Sequence, residues 1–99
     1  MMINNDILTV VFPIFLDWDS FELKCLTILK QCTSKELEEM KFTLRDAIPA
    51  GKLEKARDPY ELFTLMVNAE LLSPDNLHFL ARLFISVDRE DLRRELLKD

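Results

Sequence analysis

Apolar residues recur at helical spacing over most of this chain. Phe21, Cys25, Ile28, Leu29 and Cys32 follow one another at intervals of four, three, one and three residues, the stripe that a core-facing helix presents. A first helix is therefore predicted over about Ser20 to Gln31. Thr33-Ser34-Lys35-Glu36 comes next and reads as a capping box, in which a threonine oxygen accepts from the backbone N–H three residues on and the glutamate reaches back. The second helix it opens is predicted to run to about Ala47, where Pro49 and Gly51 stop it. Leu37, Met40, Leu44 and Ile48 form its inward face.

Lys52 to Ala56 fits one or two helical turns or a loop equally well. Asp58-Pro59-Tyr60-Glu61 combines an N-cap acceptor, a proline at the first helical position and a carboxylate at the third. It predicts a helix from Pro59 to about Ala69 that buries Leu62, Phe63 and Met66. Ser73-Pro74 repeats the device ahead of Leu77, Leu80, Leu83, Phe84 and Val87, the most regular stripe in the chain. Asp88 is expected to cap a last helix from Arg89, with Leu92, Leu96 and, at the margin, Leu97 facing in. Five or six helices with short connections make an all-α bundle whose helices can pack antiparallel.

Residues 1–18 differ from the rest. Ile7 to Leu16 is almost uninterrupted apolar sequence. It contains Pro13, is too short to span a bilayer, follows no Lys or Arg, and precedes no small-residue cleavage site. It reads either as an appended leader that lies against the domain or stays mobile, or as a hydrophobic docking segment. Residues 19–99 form the domain, and no membrane association is expected.

Composition narrows the function. With 99 residues, 48% of them hydrophobic, the chain suffices for one compact core and not for two. A net charge of −5 argues against general affinity for nucleic acid, whose phosphates select basic surfaces. Lys52, Lys55 and Arg57 make only a short basic run. Cys25 and Cys32 lie about two helical turns apart, roughly 10 Å along an axis and beyond disulfide reach, so they read as buried free thiols of a reducing compartment. The single histidine, His78, has no cysteine near it in sequence and no evident catalytic partner. Without a Gly-rich phosphate loop or a nucleophile paired with a base, neither catalysis, a cofactor nor a metal site is expected.

Three residues break the helical pattern. At about 100° per residue Phe42 falls roughly 140° from Leu37, on a face shared with Glu38, Glu39, Arg45 and Asp46. An isolated exposed aromatic is common, but one with a charged rim also matches the make-up of a partner-binding surface. The same projection places Phe79 near His78, Arg82 and Ser86, away from Leu77, Leu80 and Phe84. If the second and fifth helices are neighbours, Phe42 and Phe79 would share one patch. Arg89 stands among Asp88, Glu90 and Asp91; the acidic residues suit a helix N-terminus, and the arginine calls for a carboxylate partner elsewhere.

Glu36-Leu37-x-x-Met40-Lys41-Phe42 followed by Arg89-x-Asp91-Leu92 resembles the paired signature of death effector domains, over about Ser20 to Leu97. Lys52-Leu53-Glu54-Lys55 and Glu61-Leu62-Phe63 are similar to the effector domain of a death-receptor adaptor. Asp46-Ala47-Ile48-Pro49 and Asp75-Asn76-Leu77 are similar to initiator-caspase prodomains. The resemblance implies a six-helix antiparallel bundle of the death-fold type, acting in the cytoplasm as an adaptor-like, homotypic interaction module of apoptotic signalling. Its implied partners are death effector domains of initiator caspases or related adaptors, with self-association into filaments possible. A stand-alone regulator or decoy, capping such filaments or scaffolding a kinase, is the alternative. It further implies that Glu36, Arg89 and Asp91 form a hydrogen-bonded surface triad, and that Phe42 is the aromatic of the family's hydrophobic patch.

Overall fold

A computed structural model describes residues 18–98. Among them are six helices: α1 (residues 18–29), α2 (Ser34–Leu44), α3 (Ala50–Lys55), α4 (Pro59–Asn68), α5 (His78–Ser86) and α6 (Glu90–Leu97). The expected leader lies outside the described residues except for Trp18, which is helical and meets Phe21 edge-on with ring centroids 5.3 Å apart.

One core holds the bundle together. The α1 stripe buries Phe21, Cys25, Ile28 and Leu29 against Met40, Leu44, Ile48, Leu62, Phe63 and Met66, and against Leu80, Leu83, Phe84, Leu92 and Leu96 from the last two helices. Phe21 and Phe63 join α1 to α4 with ring centroids at 5.5 Å. α5 packs on both α6 and α2, and α3 packs on α4. All buried side chains are apolar, and α5, which packs on α6 and α2, contributes Leu80, Ala81, Leu83 and Phe84 to them. Fully burying one such side chain contributes roughly 1.5–3 kcal/mol.

The helix ends show where local chemistry wins or loses. The capping box forms: Glu36 N–H donates to Thr33 Oγ1 at 3.1 Å and Thr33 N–H to Glu36 Oε1 at 2.9 Å. Asp58 caps α4 through Glu61 N–H at 2.8 Å, with Pro59 in the first turn. α2 ends at Leu44, short of Ala47, and a turn in which Ile48 N–H returns to Leu44 O brings Ile48 inward. Lys52 to Lys55 resolves as helix within α3, with Ala56 as its extended C-cap, and Pro49, lacking an N–H to leave unpaired, stands at the N-cap.

Two expected caps are corrected. Ser73 and Asn76 exchange both backbone hydrogen bonds, at 3.2 and 3.0 Å, which closes a tight turn with Pro74 and Asp75 at its corner. Pro74 thus serves the turn, where its fixed φ is equally suited, and α5 starts four residues later with Leu77 at an N-cap that has no side-chain bond. Asp88 does not cap α6. Its φ of 60° is left-handed, whereas an N-cap needs extended backbone. Instead Asp88 N–H reaches Ile85 O at 3.0 Å and Arg89 N–H reaches Phe84 O at 2.8 Å, the paired bonds of a Schellman motif. Glu70, φ 62°, closes α4 in the same way, with its own N–H on Val67 O and Leu71 N–H on Met66 O. The only glycine, Gly51, lies inside α3 with open space beside it. Leu97 is exposed, and Cys32 is half-buried while Cys25 is fully buried.

Candidate functional site

The Schellman turn at Asp88 and the capping box at Thr33 bring two distant sequence segments together. Arg89, released from α5, directs its guanidinium at the start of α2. Its Nη1 donates to Glu36 Oε1 at 2.8 Å and to Gln31 O, just past α1, at 3.2 Å. Its Nε and Nη2 each donate to one carboxylate oxygen of Asp91, both at 3.0 Å. Such a fork-on-fork pair fixes orientation as well as charge. One oxygen of Glu36 therefore serves both the cap of α2 and the arginine. Gln31 adds a second tie, its side-chain N–H donating to Glu95 on α6 at 2.9 Å.

This node joins the end of α1 to the starts of α2 and α6. The Arg89 and Glu36 side chains are 21% and 18% exposed, against 64% for Asp91, so Asp91 is its outward member. The capping bond from Thr33 holds the Glu36 carboxyl below the usual carboxylate range, with partial burial opposing and Arg89 adding to the effect. The bonds from Arg89 hold Asp91 low. Asp91 first, then Glu36, raises Arg89, so its charge is secure. Beside them Cys32 is pushed up to about 11, chiefly by burial and then by Glu36. Burial takes Cys25 to about 12. Neither is a thiolate at neutral pH, and thiols of this kind are inert nucleophiles.

Phe42 projects from the other side of the α2 stripe and is 69% exposed. The Arg45 guanidinium, three residues on, lies over its ring at 5.2 Å, a cation–π contact that contributes about 0.5–1 kcal/mol at an exposed site. The ring borders a groove of about 630 Å³ between α2 and α3, lined also by Glu38, Lys41, Leu53, Glu54 and Arg57. Glu38 and Lys41 pair at 3.0 Å. Arg45 and Arg57 have no carboxylate within 4 Å among the described residues.

Phe79 does not join this groove. It is half-buried and packed against the core. Leu83 lies only about 40° from it on the helix circle, and because Leu83 is buried the inward arc of α5 reaches Phe79. The exposed apolar residue of α5 is Ile85, at 51%. The charged rim expected around Phe42 includes Arg45, as the spacing of three requires, whereas Arg57, read from the sequence only as part of a short basic run, is brought to the groove by the fold.

The death effector domain family model matches residues 21–98. The chain belongs to the death effector domain family. This death effector domain is 35% identical over 71 residues to caspase-8 of Rattus norvegicus, a match that covers 72% of the chain and 15% of that relative. It is 28% identical over 78 residues to the FAS-associated death domain protein of Homo sapiens, covering 79% of the chain and 38% of the relative. The chain thus spans well under half the length of either. No solved structure matches it. Family and relatives together make it a homotypic interaction module of apoptotic signalling, built on the death-fold helical bundle. Among the described residues no helix is long and apolar enough to cross a membrane.

Proposed function

We propose that this death effector domain is a non-catalytic, adaptor-like module of the cytoplasm that docks the effector domains of initiator caspases or related adaptors through the Phe42 groove. The observation that carries this reading is the exposure of Phe42, 69%, in a groove whose walls are charged and whose ring is already held by Arg45. A large aromatic in solvent does nothing for the fold. At an interface it fills a pocket at low entropic cost, surrounded by polar residues that exclude water.

The Arg89 node supplies a second, unlike face through Asp91. A module with two different faces associates head to tail, leaving one unused face at each end, so that assembly extends unless the geometry closes it. The same two faces serve an adaptor that nucleates effector-domain filaments and a decoy that caps them.

Mixing the purified chain with the effector-domain prodomain of caspase-8, followed by light scattering and electron microscopy, tests both points. Nucleation of filaments at substoichiometric chain supports the adaptor role, and shortened filaments assign the decoy role. Absence of any association, with the chain folded by circular dichroism, overturns the docking proposal.

A further inference from the structure

Two exposed features have no part in the Phe42 groove or the Arg89 node. On α1, Leu23 is 69% exposed, outside the stripe that the helix buries. Asp19, one turn earlier, and Glu22, beside it, flank it on the exposed surface. Between α3 and α4 lies a second groove, of about 310 Å³. Ala56, Leu65 and the half-exposed Tyr60 ring give it an almost wholly apolar lining. Its polar members are satisfied within the chain: the Thr64 hydroxyl donates to Tyr60 O at 3.0 Å, and Glu61 accepts from Arg57 N–H at 3.1 Å. Lys52 and Lys55 complete the lining. Among the described residues neither lysine has a carboxylate within 4 Å, and neither Asp19 nor Glu22 has a cation within that distance.

An apolar groove with two unpaired ammonium groups selects an apolar knob flanked by carboxylates. Leu23 with Asp19 and Glu22 has that chemistry. We propose that a second copy of this chain seats Leu23 of its α1 in the α3–α4 groove, with Asp19 and Glu22 facing Lys52 and Lys55. The contact is self-complementary in charge even though each copy carries a net charge of −5, because only the local charges lie within a Debye length of one another at contact. The α3–α4 groove opens on the other side of α3 from the Phe42 groove, with which it shares only Ala56. α3 turns Leu53 and Glu54 to that groove and Lys52 and Lys55 to this one.

The test is sedimentation velocity of the full chain carrying Phe42→Asp, which silences the first groove. Self-association is expected to persist and to weaken as salt is raised. Adding Leu23→Glu, or Lys52→Glu with Lys55→Glu, should raise the dissociation constant at least about tenfold, the loss of one modest anchor, with helicity unchanged. The decisive arm mixes an Asp19→Lys/Glu22→Lys chain with a Lys52→Glu/Lys55→Glu chain. With Phe42→Asp in both, each alone should self-associate at least about tenfold more weakly than the parent, and mixed they should regain the parent's association. The proposal is overturned if the Phe42→Asp chain is monomeric at every concentration, which would assign self-association to the first groove, if the Leu23 and lysine variants leave the constant unchanged, or if the swapped pair gains nothing on mixing.

Discussion

Arg89 and Phe42 both depart from the helical pattern, and the fold treats them in opposite ways. The Arg89 guanidinium donates to Gln31, Glu36 and Asp91 and so ties three helix ends together. The Phe42 ring meets one guanidinium, and most of its surface faces solvent. A charge near the surface is here part of the frame, while an aromatic is left free of it. Polarity alone therefore does not separate structural from binding residues; what separates them is how many elements a side chain connects.

Phe42→Asp should break the comparison most visibly. As a central anchor it is expected to weaken binding to an effector-domain partner by about 2 kcal/mol or more, roughly thirtyfold. Unfolding free energy should move by no more than about 0.5 kcal/mol, as for an ordinary surface change. Titration calorimetry beside a urea melt measures both, and a collapse of stability would make Phe42 a core residue.

Arg89→Ala should do the reverse to the fold, lowering the melting temperature more than any other substitution of an exposed or half-buried charge in the domain. The pairing of Glu90 with Arg93 and Arg94 within the exposed face of α6 provides the control, since pairs of that kind contribute little in water. The node also has a pH signature. Glu36 and Asp91 are held low in the folded state, so the unfolded chain takes up protons first as pH falls. Their stabilisation is complete above about pH 5.5 and is lost as pH falls through the carboxylate range. The difference between wild type and Arg89→Ala in denaturant melts should shrink from pH 7 to pH 3. Parallel profiles would show that the carboxylates do not act through Arg89.

Smaller effects sharpen the same contrast. Thr33→Ala removes the acceptor for Glu36 N–H and should cost about 1 kcal/mol, read as a shift of the urea midpoint at constant slope. Gly51→Ala should stabilise by about 0.5–1 kcal/mol, because Gly51 is helical with open space beside it and alanine loses less backbone freedom. A destabilised Gly51→Ala chain would mean that α3 does not persist in solution.

The helices were legible because their stripes and two of their caps are local. Thr33 with Glu36, and Asp58 with Pro59, act within one turn. Ser73-Pro74 and Asp88 misled because the same residue types serve tight turns and Schellman ends, and the choice depends on which backbone bonds the neighbouring helix leaves open. The exposure of Phe42 followed from its angle to Leu37, the first residue of the inward stripe of α2. Phe79 failed by the same method, since it lies at the edge of an arc whose width is set by α5's neighbours rather than by α5. The contact of Arg89 with Glu36 crosses 53 residues; periodicity carries nothing at that range, and family resemblance alone joined them. The Phe42 groove needed α3 in place, a segment whose own sequence allowed helix or loop.

The most direct test of the division between frame and binding face is a chemical-shift titration of the isotope-labelled chain with the caspase-8 effector-domain prodomain, held below the concentration at which filaments form. That division requires the first perturbed amides to be those of Phe42, Arg45, Leu53 and Arg57, with no perturbation at these positions when Phe42→Asp is used in a fold that is otherwise unchanged. Perturbations that begin elsewhere and survive Phe42→Asp would contradict it.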